Sequence, residues 1–177
     1  SQNLKTTTVE NEPSPNVSMS SSVENVGENV GEITLLFAMD LAAGTDTIVA
    51  LATSGTATFG SDYKLSSNTA IIPAGSKKST ITIQSIDDQI DDENEKIIID
   101  VKDITVGNGA KEYGEQKASL TINDDDQAGF TLSKSSAVVT ENGDTEVFTI
   151  VLNSRPTENV VFNINSENIK EANESSG

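Results

Sequence analysis

An antiparallel β-sandwich of six or seven short strands, followed by the start of a second, is the fold class this sequence predicts. Three observations carry it. Short β-branched or period-2 apolar runs recur between polar turns. No segment sustains a helical period. The chain also repeats itself at an offset of 113 residues, the size of one sandwich domain.

The elements follow in order. Residues 1–16 are polar and end near Pro13-Ser14-Pro15, so they read as a linker or the tail of a preceding module. Strand-like pattern begins at Val17. Residues 32–41 place Ile33, Leu35, Phe37 and Met39 on one face. Residues 47–51 follow the turn Ala43-Gly44-Thr45-Asp46, and residues 69–72 end at the turn Pro73-Ala74-Gly75. Residues 79–86, 96–101 and 117–122 complete the first set. The repeat carries Val17-Ser18-Met19 onto Phe130-Thr131-Leu132, and Val26-Gly27-Glu28-Asn29 onto Val139-Thr140-Glu141-Asn142. It also carries Leu35, Phe37 and Met39 onto Phe148, Ile150 and Leu152. A sandwich over 17–126 and the N-terminal part of a second, truncated module over 127–177 are expected. The second module's strands are expected at 131–132, 146–152 and 159–164. Half a sandwich leaves open edges and an uncovered apolar face, so the polypeptide is expected to continue past Gly177. A start at Ser1, without a leader pattern, reads as a processed chain or a piece of a longer one.

Composition narrows the function. There are 28 acidic and 11 basic residues, a net charge of -17. That balance argues against nucleic acid, whose phosphates need Lys and Arg, and against anionic membrane surfaces. No apolar run approaches the roughly 18 residues of a membrane span. His and Cys are both absent, which removes Ser-His-Asp and Cys-His catalysis, imidazole or thiolate zinc sites, and disulfides. The spacing of Gly55, Gly60 and their neighbours fits no phosphate loop, and no helix follows. Paired carboxylates could serve a glycosidase, but there is no Trp and only two Tyr to stack a sugar. The chain is therefore expected not to be an enzyme.

The acidic residues are concentrated. Asp87, Asp88, Asp91, Asp92, Glu93 and Glu95 lie in one run, and Asp124-Asp125-Asp126 in another. Each run borders a strand-like stretch. Like charges about 4 Å apart repel by roughly 4 kcal/mol at an effective dielectric near 20. A fold that gathers both segments must supply cations or stay weak there. Ca²⁺, which takes about six to eight oxygen ligands, suits such a site.

These residues carry a resemblance. Thr53-Ser54-Gly55-Thr56-Ala57-Thr58-Phe59-Gly60-Ser61-Asp62-Tyr63, Ile71-Ile72-Pro73-Ala74-Gly75, Ile86-Asp87-Asp88 through Glu95, and Leu120-Thr121-Ile122-Asn123-Asp124-Asp125-Asp126 resemble the ordered motifs of Calx-β domains over about 17–126. The family implies a seven-stranded, immunoglobulin-like Greek-key sandwich with calcium at one end. It occurs in membrane exchangers and in large bacterial surface proteins. The resemblance implies as ligands Glu28, Asp62, Asp87, Asp88, the Ile90 carbonyl, Asp92, Glu95, Asp124, Asp125 and Asp126. Glu24-Asn25-Val26-Gly27 and Glu28-Asn29-Val30-Gly31 both fit the first-strand E-x-x-G. The repeat favours Glu28 over Glu24. Asp92 stands where the calcium-binding pattern has Glu, and Gln89 interrupts its first run of acids.

The implied function is a calcium-binding structural or adhesive module of a large secreted or cell-surface protein, bacterial in type. Its partners would be neighbouring modules of the same chain, with a surface or matrix protein or glycan as a further partner. The alternative is a calcium-independent spacer or ligand-recognition domain whose metal site has decayed.

Overall fold

The computed structural model describes residues 13–140 and 142–165. It divides them into two compact units, 13–88 with 92–125, and 89–91 with the described residues from 126 onward. The first unit is all-β. Its strands are β1 (Asn16–Ser21), β2 (Asn25–Gly27), β3 (Glu32–Met39), β4 (Thr47–Gly55), β5 (Tyr63–Leu65), β6 (Thr69–Ile72), β7 (Lys78–Ser85), β8 (Glu95–Val106), β9 (Lys111–Glu112) and β10 (Lys117–Asn123). A three-residue 3₁₀ turn, Glu28–Val30, follows β2. Among the described residues no helix is long and apolar enough to cross a membrane.

The strands form two five-stranded sheets, in the orders β5-β7-β3-β1-β9 and β2-β10-β8-β4-β6. All pairings are antiparallel except β1 with β9 and β2 with β10. The first strand therefore changes sheet midway. This division, with the short edge strands β5 and β9, accounts for ten strands where seven were expected.

Alternation builds the core. Ile33, Leu35, Phe37 and Met39 of β3 are all buried, and Ile81 and Ile83 of β7 lie beside them in the same sheet. Val49 and Leu51 of β4, Ile97 and Ile99 of β8, and Leu120 and Ile122 of β10 supply the other sheet's inner face. Tyr63 is buried in the same cluster, where Phe59 meets its ring edge-on. β8 runs past the expected end at Val101 because a bulge against Ala50/Leu51 leaves Lys102 as an extra residue. The bulge moves the inward phase from Val101 to Ile104, and both pack on the core.

Where the ladder lapses, side chains take over. Gln116 accepts the Met19 N–H through Oε1 at 2.9 Å and donates through Nε2 to the Tyr113 carbonyl. At Gly55, φ is +121°, and a Cβ would fall 2.1 Å from the Lys96 carbonyl oxygen. Only glycine fits that close approach.

In the second unit, β11 (Phe130–Leu132) pairs antiparallel with β12 (Ile150–Leu152). β12 is shorter than the 146–152 expected. Residues 159–164 form no strand, although Val160, Val161, Phe162 and Ile164 keep the apolar character that suggested one. A ladder needs a partner strand, and among the described residues none pairs with them. The Phe162 ring meets Phe130 edge-on instead.

Candidate metal centre

Strand direction gathers the acidic loops of the first unit. β2, β4 and β10 all end where β8 begins, because β10 and β4 run antiparallel to β8, and β2 runs parallel to β10. β7 ends there too, with Ser85 Oγ on the Gly27 carbonyl at the end of β2. At that end a cleft is lined by Glu28, Asp62, Asp88, Asp92, Glu93, Glu95, Asp124 and Ile122. Seven of these eight are carboxylates, and no Lys or Arg is among them.

Glu28, Asp62 and Asp124 are each held locally. Glu28 rides on the 3₁₀ turn, and its Oε1 accepts the Asp88 N–H at 3.1 Å. Asp62 closes a tight turn in which its N–H reaches the Thr58 carbonyl at 3.0 Å, while its Oδ2 accepts the Thr58 N–H at 2.5 Å. Asp124 leaves β10 with its N–H donated to Asn94 Oδ1 at 3.0 Å. Asp125 is exposed, and its carboxylate accepts from the Asn29 side-chain amide. Asp87 is exposed and does not line the cleft. Ile90 and Asp126 belong to the second unit, as does Asp91, whose Oδ2 accepts the Ala128 N–H at 2.9 Å. Of the two candidate first-strand acids, Glu28 lies in the cleft. Glu24 is exposed, and its carbonyl accepts the Thr121 N–H at 2.8 Å.

The electrostatics are those of crowded acids. Glu28 is pushed from 4.5 to about 7, first by desolvation and then by the charges of Asp88, Asp124 and Asp92. Glu95 is also pushed from 4.5 to about 7, first by desolvation, then by a side-chain hydrogen bond and charge repulsion with Asp62. Each keeps its proton into the neutral range because ionisation would add charge where no cation answers it. Asp124 Oδ1 is buried with no hydrogen-bond partner among the described residues. A buried carboxylate oxygen left in this way is costly unless an ion meets it. Oxygen-only donors, unbalanced negative charge and an orphaned oxygen together fit a hard divalent cation. Among the described residues no three carboxylates yet close on one point as ligands.

Sequence reasoning missed several contributors. Glu93 lies inside the acidic run, but the family pattern assigns its neighbours. Asn29, Asn94 and Thr58 read as turn residues and gave no sign that Asn29 and Thr58 hold the carboxylates of Asp125 and Asp62, or that Asn94 holds the Asp124 backbone.

No curated protein matches this sequence. Among solved structures it is similar to CBD12 from CALX1.2, at 27% identity and a TM-score of 0.53, covering 70% of this chain and 52% of that one. It is also similar to the calcium binding domain CBD12 of CALX1.1, at 28% identity and a TM-score of 0.52, with the same coverage of 70% and 52%. The chain thus spans about half the length of those two. The apo-form Calx CBD1 domain matches at 25% identity and a TM-score of 0.49, over 62% of this chain and 98% of that one. The model of the Calx-beta domain matches residues 10–126 and again 123–176. With that match spanning nearly the whole sequence, the chain belongs to the Calx-beta domain family.

Proposed function

We propose that this chain is a non-catalytic, calcium-binding structural module. The observation that carries the reading is the cleft of seven carboxylates with no basic lining residue and one orphaned buried oxygen on Asp124. The calcium binding domain named among the similar structures supports it. Glu28, Asp62, Asp88, Asp92, Glu95 and Asp124 would hold the ion, with Glu93 beside them. Bound calcium would supply charge neutralisation that lets these acids ionise together. The family pattern also implies Asp87 and Asp125, which are exposed, together with Ile90 and Asp126. The shorter reach of Asp92 makes it the first place where a ligand would be lost.

Calcium binding is tested by thermal melting in millimolar calcium and in EGTA. A ligand held only by the native state stabilises by about 2.7 kcal/mol at a hundredfold excess over Kd. A clear rise in melting temperature with calcium is expected. No shift would sink the reading and favour a calcium-independent spacer or a protein- or glycan-recognition domain.

The setting we propose is a secreted or cell-surface protein of bacterial type with an adhesive or matrix role. The tandem match to the family model supports it. The run Asp124-Asp125-Asp126 passes from the first unit into the second, so calcium there would stiffen the joint between neighbouring modules. Small-angle scattering of the full chain with calcium and with EGTA reads this directly. An unchanged maximum dimension and unchanged flexibility would refute stiffening.

A further inference from the structure

One side chain outside the ligand set ties several of the cleft's loops together. Ser85 is the last residue of β7. Its Oγ accepts the Gly31 N–H at 3.0 Å and donates toward the carbonyls of Gly27 at 3.1 Å and Gly31 at 3.3 Å. Gly27 and Gly31 flank the turn that carries Glu28. That turn has no side-chain cap of its own, and a single 3₁₀ turn has little stability alone. The Ser85 hydroxyl therefore closes both ends of it, and the Ser85 N–H adds a bond to the Gly31 carbonyl at 2.9 Å.

The same residue reaches the other loops through the backbone. Ser85 stands opposite Tyr63 in the β5–β7 ladder, and the next amide, Ile86, donates to the Asp62 carbonyl at 2.9 Å. Asp88 lies three residues after Ser85, with its N–H on Glu28 Oε1. Gly31 leaves the necessary room. A Cβ there would lie 2.3 Å from Ser85 Oγ and 2.2 Å from Val26 Cγ2.

Resting on the calcium reading above, we infer that Ser85 is a positioning residue for the cation. Its hydroxyl fixes the Glu28 turn against the strand end from which the Asp88 loop departs and beside which the Asp62 loop is anchored. The carboxylates are thereby held in one geometry before the ion arrives. Groups that orient metal ligands typically contribute about 10- to 100-fold in affinity.

The test is calorimetric titration of the full chain with calcium, for the wild type, Ser85→Ala and Ser85→Thr. Ser85→Ala is expected to weaken calcium binding about tenfold or more, while Ser85→Thr, which keeps the hydroxyl, stays within about threefold of wild type. Amide exchange at Gly31 in EGTA is expected to quicken in Ser85→Ala alone. Ser85→Cys, close in size with a poorer acceptor, makes the same comparison if Ser85→Ala does not fold. A wild type that binds calcium while Ser85→Ala binds equally well overturns the inference and leaves the site standing. A lower melting temperature in EGTA with unchanged affinity overturns it too, since a merely structural role moves stability alone. A wild type that takes up no calcium overturns both readings.

Discussion

Without calcium, the protein is expected to lose stability as pH rises from about 4.5 to about 7, and Glu95→Gln is expected to remove much of that loss. Glu28 and Glu95 are both held up near 7 from 4.5. Over that window the folded chain keeps protons that the unfolded chain releases. The stability is therefore fully present below about 4.5 and is lost as pH passes through about 7. Asp40 is lowered by the backbone and side-chain amides of Asn16, so its titration lies below this window. One pKa unit corresponds to about 1.4 kcal/mol. Both glutamates are only partly buried, so solvent screening reduces the pair's effect to something on the order of 2 kcal/mol. Urea midpoints in EGTA at pH 5 and pH 8 check the sign, and a protein more stable at pH 8 would contradict it. Glu95→Gln keeps a hydrogen-bonding partner for Asp62 and deletes one charge. It should flatten the metal-free profile and weaken calcium binding, so one substitution moves the two measurements in opposite directions.

Phe37→Ala is expected to cost about 3–5 kcal/mol, the range for truncating a buried aromatic. Phe37 is 0% exposed in the second half of β3, between Met19 of β1 and Ser79 of β7. Truncation leaves a cavity between two close-packed sheets, which have few ways to collapse around it. Equilibrium urea unfolding followed in the first unit reads the loss. A cost below about 1 kcal/mol would mean the two sheets repack more freely than close packing allows.

The residues that wrote themselves into the pattern were those with a periodic or charged signature. Ile33, Leu35, Phe37 and Met39 announced β3 through strict alternation, and the turn at Pro73-Ala74-Gly75 marked the end of β6. The clustering of Asp88, Asp92, Glu95 and Asp124 came from the same source, because only strand order is needed to bring their loops to one end. What stayed hidden depends on backbone pairing or neutral side chains. Residues 53–55 are polar and exposed, yet they extend β4 because Ile97, Ile98 and Ile99 of β8 lie opposite them. β5 and β9 are too short to show a period. The bulge at Lys102 broke the alternation that would have carried β8 to Val106. Ser85, Asn29 and Asn94 carry no charge, so nothing in their identity reveals that they brace the acids.

The sheet change within the first strand bears on how the module meets a pull. β2, near the start of the unit, and β10, at its end, lie side by side and parallel, with Thr121, Ile122 and Asn123 opposite Asn25, Val26 and Gly27. Tension on the chain before β1 and after β10 drags these neighbours in opposite directions along their length. Their hydrogen bonds, and those joining β1 to β9, are then loaded together in shear rather than peeled one at a time. The geometry that delivers Glu28 and Asp124 to one cleft thus also makes the unit's two ends its mechanical clasp.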